Sequence, residues 1–359
     1  MAPRGRDDRE QLSSAPVNSM SIKRRLLSRL RCAFYWSGFS PVYTALRGIC
    51  GSVILMYHSV PGAAERPWID PENAMPLARF EWQMEFLHRH RRVVSLDEVV
   101  DAIAARRELT VGTVVLTFDD GYRDNLHVVA PILERYRFPA VLYLPTEYIN
   151  RGQTHFIDEL YAIFSRRKAD TFRWESGPEG RWELRDPAII AQAYKSVVAA
   201  LIAAGMDARQ RILADLADQL RPEARPPRLT LNWDEVRELV KRYPNFQIGA
   251  HTADHVDLRA HGDQAQVQIA RSVSDIEREL GFKSVHFSFP YGRYGEAGTQ
   301  AVIDNGLKSA VVAGEDCLIG VGSSPFGMAR IAAPESMTRF RSITSGAYFG
   351  LSGAVASRE

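Results

Sequence analysis

Short apolar runs alternate along this chain with longer amphipathic stretches, a rhythm that restricts it to repeated strand–helix units wrapped into a parallel barrel. Strands are expected at about 52–58, 113–119, 140–145, 246–251, 284–290 and 309–314, and helices near 79–90, 97–107, 124–136, 233–244, 264–281 and 296–306. The rhythm breaks at about 146–231, where helix-like stretches at 156–168 and 187–220 flank Gly177-Pro178-Glu179-Gly180. That segment reads as a helical insertion leaving the strand end at Pro145. The expected organisation is a basic N-terminal segment over 1–50, a barrel domain over 51–345 carrying the insertion, and a C-terminal tail over 346–359. Parallel barrels keep their chemistry at the C-terminal ends of the strands. Polar residues at those ends are therefore the ones to read.

The strand Thr113-Val114-Val115-Leu116 runs into Thr117-Phe118-Asp119-Asp120-Gly121-Tyr122, which places two carboxylates where an apolar strand ends. Gly121 relaxes the chain there, so one carboxylate can bind a cation while its neighbour points elsewhere. Downstream, His251-Thr252-Ala253-Asp254-His255 has the His-x-x-x-His spacing that sets two imidazoles on one face of a helical turn. One Asp and two His leave an open coordination position for water, as catalytic zinc requires. A third stretch, Phe287-Ser288-Phe289-Pro290-Tyr291-Gly292, follows in order. His58, at the end of Ser52-Val53-Ile54-Leu55-Met56-Tyr57, opens onto the same rim. His286 lies two residues before Ser288, deeper in the sheet, and reads as structural. Asn232 reads as a helix cap, with Trp233, Val236, Leu239 and Val240 packing inward behind it.

These three stretches resemble the polysaccharide deacetylase family, also called the chitooligosaccharide deacetylase or NodB-homology family (carbohydrate esterase family four), over about residues 51–345. The resemblance implies a distorted α/β, TIM-like (β/α) barrel. It implies metal-dependent removal of an N-acetyl group from an aminosugar of a polysaccharide or glycolipid. It carries Asp119 over as general base, and Asp120, His251 and His255 as ligands of one divalent ion. Zinc is favoured for that ion, with cobalt, nickel or iron also compatible with the donor set. The backbone N–H of Tyr291 is assigned to the oxyanion by the same resemblance. The chain departs from the pattern twice. Ser288 stands where the family's third motif has the arginine that orients the base, and no histidine follows His286 to act as general acid. His58 is the expected replacement, as in the branch similar to biofilm poly-N-acetylglucosamine deacetylases, where an early Tyr-His supplies the proton. Two alternatives are a hydrolase of a small non-sugar amide or imide on this fold and an inactive carbohydrate-binding module. The complete base and ligand set argues against both.

Composition narrows the partners. With 45% hydrophobic and 25% charged residues and a formal charge of only +2, the chain suits one large α/β domain, and nothing points to nucleic acid. Three cysteines cannot build a dense disulfide framework, and none lies beside the expected metal residues, which argues against thiol catalysis. No ordinary signal peptide is expected, because residues 1–20 are polar. Ile22, Leu26, Leu27 and Leu30 form one stripe among Lys23, Arg24, Arg25, Arg29 and Arg31. Residues 21–36 therefore read as an interfacial helix for an anionic membrane, and the expected location is cytoplasmic or peripheral at the cytoplasmic membrane face.

Overall fold

Period-two alternation decides which side of each strand faces the barrel axis. The structure, a computed structural model, describes residues 50–346 except 176, 178–179 and 315–317. The basic stretch at 21–36 and the tail after 346 lie outside the described residues. The strands are β1 (Ser52–Tyr57), β2 (Arg92–Val93), β3 (Thr113–Phe118), β4 (Ala140–Leu144), β5 (Thr171–Arg173), β6 (Arg181–Glu183), β7 (Phe246–Ala250), β8 (His286–Ser288), β9 (Ser309–Ala313) and β10 (Phe326–Ala332). The helices are α1 (Leu77–His90), α2 (Leu96–Ala104), α3 (Ala130–Tyr136), α4 (Thr146–Arg151), α5 (Phe156–Ser165), α6 (Pro187–Ala203), α7 (Met206–Leu220), α8 (Trp233–Arg242), α9 (Ala265–Leu280), α10 (Glu296–Asp304) and α11 (Met337–Thr344). All six expected strands are present.

Seven strands pair in parallel in the order β1-β10-β9-β8-β7-β4-β3, and β3 closes the ring on β1 from Ser52↔Thr113 to Tyr57↔Phe118. The fold is thus the expected distorted (β/α) barrel, with β2 added against the first two residues of β3. One buried set, including Leu55, Leu116, Leu142, Ile248, Phe287 and Ile331, packs with residues of α1, α3, α8, α9 and α10 between the barrel and its helices. The alternate set, Ile54, Val115, Val141, Val311 and Met328, packs with Leu96, Val99, Val100 and Ala102 of α2. Each such side chain contributes about 1.5–3 kcal/mol on burial. The second set fills the barrel axis, with α2 across its N-terminal mouth. There Asp97 accepts from Gln247 of β7 at 2.6 Å and lies 3.3 Å from Nε2 of His286, which begins β8. His286 is therefore a floor residue remote from the strand C-termini, consistent with its structural reading.

Helix starts follow their caps. Asn232 and Glu235 form a reciprocal capping box on α8, and Trp233, Val236 and Leu239 of that helix are buried. Among the described residues no helix is long and apolar enough to cross a membrane.

Two compact units divide the chain: Met75–Gly152, the stretch ending at Gly62 and the stretch from Thr230 form the barrel, whereas Ala63–Ala74 and Gln153–Leu229 form the other. The second unit holds α5, α6 and α7, but the expectation of a purely helical segment needs correction. β5 and β6 form an antiparallel hairpin in which Phe172 pairs with Trp182, both buried, beside exposed Arg173, Arg181 and Glu183. Three-residue strands are too short to show alternation in sequence. The expected helix at 187–220 is two, because Ala204 is extended and Gly205 opens the second.

Candidate active site

Inward alternation carries Thr113, Val115 and Thr117 up β3 to Asp119, the first residue past the strand, where the backbone N–H of Asp119 donates to the carbonyl of Tyr57 at 3.0 Å. The same bond fixes the end of β1, so His58 and Asp119 leave neighbouring strands at one level. Asp120 turns away from Asp119 through a left-handed backbone, φ +70°, and Gly121 continues it at +62°. A Cβ on Gly121 would lie 2.7 Å from Leu144 Cδ2 and displace that side chain, but it is the positive φ that favours glycine here. The two adjacent carboxylates therefore enter different environments.

Asp119 is 3% exposed and is gripped by Arg330 of β10. Nη1 donates to Oδ1 at 2.7 Å and Nη2 to Oδ2 at 2.6 Å, a bidentate pair that also fixes the carboxylate plane. Arg330 is 1% exposed, and its remaining Nη donors reach Thr117 Oγ1 at 3.1 Å and Ser288 Oγ at 2.7 Å. Burial, the largest single effect, pushes the Asp119 carboxyl up, but the Arg330 charge, the His251 charge, the Arg330 hydrogen bonds and the His58 charge together outweigh it and hold the group at about 2. It is an ionised, oriented carboxylate with both oxygens anchored, as a base requires. Beneath the guanidinium lies the Tyr143 ring, 5.4 Å from Cζ to centroid, a cation–π support. Gly249 makes room for that ring, since a Cβ there would sit 2.3 Å from Tyr143 Cδ1.

Asp120 faces the histidines. Its Oδ1 lies 3.7 Å from His251 Nε2 and 3.3 Å from His255 Nε2, and all three residues are buried. Donor atoms about 2.0–2.1 Å from a tetrahedral ion stand about 3.3 Å apart, so the spacing suits one cation. The tautomers agree. His251 Nδ1–H donates to the Ser288 carbonyl at 2.7 Å, and His255 Nδ1–H donates to the Tyr291 hydroxyl at 3.0 Å, which in turn donates to the His255 carbonyl at 3.3 Å. Each Nε2 is left as a lone-pair nitrogen, the arrangement outer partners impose on metal-binding imidazoles. Burial lowers the His251 pKa to about 4, against the upward pull of Asp119, so it is neutral as a ligand must be. These side chains fit a divalent ion.

The helical-turn explanation of the histidine spacing is corrected by the backbone. Residues 251–255 form no helix: Thr252 and His255 are left-handed, at φ +62° and +52°. The loop is held by N–H donation from Thr146 and Glu147 of α4 to the carbonyls of Thr252 and Ala253, and by Gln268 of α9, which accepts from the Asp254 N–H at 3.0 Å. Tyr291 is left-handed as well, at +59°. Among the described residues, seven non-glycine residues have positive φ, and four of them (Asp120, Thr252, His255 and Tyr291) belong to this site. Strain of this kind gathers where geometry is functional.

The structure thus brings Asp119, Asp120, His251, His255 and Tyr291 together. It places His58, half-buried, one residue past β1, where burial lowers its pKa while the Asp119 charge acts upward and Arg330 downward. Arg330 escaped sequence reading. The one available signal was a vacancy, since Ser288 occupies the motif arginine's position; here that serine hydroxyl receives the guanidinium sent from β10.

Comparisons with known proteins place the family and the fold. A family model described as polysaccharide deacetylase matches residues 106–310. The Streptococcus pyogenes deacetylase PplD, solved in complex with acetate, is 17% identical with a TM-score of 0.53, covering 82% of this chain and 97% of that one. IcaB from Ammonifex degensii is 17% identical with a TM-score of 0.54, again over 82% and 97%. The de-N-acetylase of Aggregatibacter actinomycetemcomitans is 18% identical with a TM-score of 0.53, over 81% and 99%. At such identities these structures show the fold. YxkH of Bacillus subtilis, a protein assigned as a polysaccharide deacetylase, is 28% identical over 107 residues, which are 30% of this chain and span only 35% of that relative. With more than half of its residues matched by the family model and the barrel closed as described, the chain belongs to the polysaccharide deacetylase family.

Proposed function

We propose that this protein removes N-acetyl groups from an aminosugar of a polysaccharide or glycolipid, hydrolysing a carbon–nitrogen amide bond with one divalent ion, zinc by preference. The observation that carries this is the division of labour between neighbouring carboxylates: Asp119 is locked to Arg330, while Asp120 shares its space with two neutral imidazoles. Asp120, His251 and His255 would hold the ion, whose charge would acidify an attacking water and polarise the acetyl carbonyl. Asp119, ionised and fixed, removes the water's proton. Tyr291 offers its backbone N–H to the oxyanion, and its hydroxyl holds the His255 ring. His58 gives its proton to the departing amine, leaving acetate and a free amino group.

The test is acetate release from N-acetylglucosamine oligomers, measured before and after chelation and again after zinc, cobalt, nickel or iron is restored. Turnover that is lost with chelation and recovered with metal is expected. Hydrolysis of a small non-sugar amide without acetate release would favour an amide or imide hydrolase, and glycan binding without turnover would favour a binding module. Metal-independent acetate release would overturn the ligand assignment.

We also propose that residues 21–36 hold the enzyme at an anionic membrane surface near a lipid-linked or nascent glycan. Five Lys and Arg residues flank the stripe Ile22, Leu26, Leu27 and Leu30. Each basic residue near such a surface adds about 1 kcal/mol, screened by salt. Liposome sedimentation is expected to retain the whole chain at low salt and release it at high salt. A chain starting near Gly48 is expected to stay in the supernatant; equal sedimentation of both would refute membrane docking.

A further inference from the structure

The chain does not enter an α-helix directly after the aspartate pair. Asn125–Val129 is one π-helical turn ahead of α3, a widening of the helix that is uncommon and often found at functional sites. The turn begins with two buried polar residues, Asp124 at 5% and Asn125 at 0% exposure, and their side chains reach back across 64–67 positions to the segment leaving β1. Ser59 Oγ donates to Asp124 Oδ2 at 2.5 Å, and the Val60 N–H donates to Asp124 Oδ1 at 3.0 Å. Asn125 Nδ2 donates to the His58 carbonyl at 3.0 Å and to Asp124 Oδ1 at 3.1 Å. On the other side of His58, the Tyr57 carbonyl is held by the Asp119 N–H.

Four consecutive residues, 57 to 60, are thus bonded to the chain that carries the aspartate pair. A buried carboxylate is costly unless its charge is spent on hydrogen bonds. Asp124 spends two on residues 59 and 60, immediately past His58. A proton donor has to sit within about 0.5 Å of its productive place, and a rim loop achieves that only when its backbone is fixed. We propose that Asp124, assisted by Asn125, is a positioning residue that sets His58 relative to Asp119, so that proton donor and base are registered by one structural element. This rests on the reading of His58 as general acid.

A double-mutant cycle tests it on the full chain with metal bound. Asp124→Ala, His58→Ala and the combination are compared in kcat, KM and bound metal on N-acetylglucosamine oligomers, with Ser59→Ala as a milder second probe that removes a single hydroxyl. General acids contribute about a hundredfold to ten-thousandfold. Asp124→Ala is expected to lower kcat by about tenfold to a hundredfold, Ser59→Ala by less, each with KM and metal content nearly unchanged. Contacting groups acting as one unit are non-additive, so both substitutions are expected to cost less than about twofold in the His58→Ala background. Equal losses in both backgrounds would show a general structural role and overturn the proposal, as would normal kcat in Asp124→Ala and Ser59→Ala. Near-normal turnover of His58→Ala alone would remove the acid assignment itself and the positioning role with it, a result distinct from additivity.

Discussion

Replacing Arg330 by methionine is expected to lower kcat/KM by at least about a hundredfold and to move the acidic limb of its pH profile upward. The cause is electrostatic. In the native barrel, burial pushes the Asp119 carboxyl up, while the Arg330 charge, with its two short hydrogen bonds, brings it down to about 2. Without the guanidinium only His251 and His58 still favour ionisation, and burial dominates. Asp119 is then protonated at pH values where the native base is ionised. Activity should fall away below a limb that lies above the ordinary carboxylate value. A cation bound beside it would lower that limb in both proteins without abolishing the difference between them.

Stability follows the same linkage with a definite sign. A carboxyl whose folded pKa is depressed contributes stability that is present above its ordinary value of 3.8 and lost as pH falls through about 2. Breaking one partner of a buried pair costs about 3–5 kcal/mol, because a charge is left uncompensated. Arg330→Met should therefore unfold at markedly lower denaturant near neutral pH, and the deficit should shrink in acid as Asp119 is protonated. Asp119→Asn/Arg330→Met, which removes both charges, should recover much of the stability and none of the activity. An unchanged acidic limb with native turnover in Arg330→Met would deny the arginine its orienting role.

Arg330 also marks where sequence reading stops. β1, β3, β4, β7 and β9 were legible because runs such as Val53-Ile54-Leu55 and Val114-Val115-Leu116 are apolar on both faces, as strands lined by a filled barrel and covered by helices must be. β10 breaks that signature: Gly327, at φ +130°, and the inward Arg330 interrupt an otherwise apolar stretch of seven residues. The polarity that hid the strand is what equips it for the site. The proposed base and metal ligands were legible for a different reason, since Asp119-Asp120-Gly121 and His251 with His255 are local in sequence and need only be brought to one rim. The left-handed geometry of Thr252 and His255 was not, because it is imposed from α4 and α9, by bonds to residues more than ten positions away or over a hundred. Long-range backbone anchoring leaves no periodic trace. The pairings of Asp124 with Ser59 and Asn125 with His58 escaped in the same way.

Substituting the two neighbouring aspartates should separate catalysis from metal binding within one dipeptide. Asp120→Asn is expected to lose both, because the side chain supplies the anionic donor whose oxygen stands 3.3 and 3.7 Å from the two histidine Nε2 atoms. A carboxamide oxygen carries no charge and holds a divalent ion far more weakly. Asp119→Asn is expected to keep stoichiometric metal, since both oxygens of the native residue are hydrogen-bonded to Arg330 and the nearer one is 4.0 Å from His251 Nε2, whereas Asp120 approaches both histidines more closely. It should nevertheless lose about a hundredfold to ten-thousandfold in kcat, the usual contribution of a positioned base. Its stability should also fall, because Arg330 is then buried without its counter-charge. Elemental analysis of the purified variants, beside acetate release, distinguishes the roles: stoichiometric metal in Asp120→Asn with metal lost from Asp119→Asn would exchange them. Outer partners should act in between. Tyr291→Phe removes the hydroxyl that receives the His255 Nδ1–H, and a loss of this kind typically costs about tenfold to a hundredfold in metal affinity. Metal titration of that variant should therefore show weakened binding at full stoichiometry, intermediate between the native protein and Asp120→Asn.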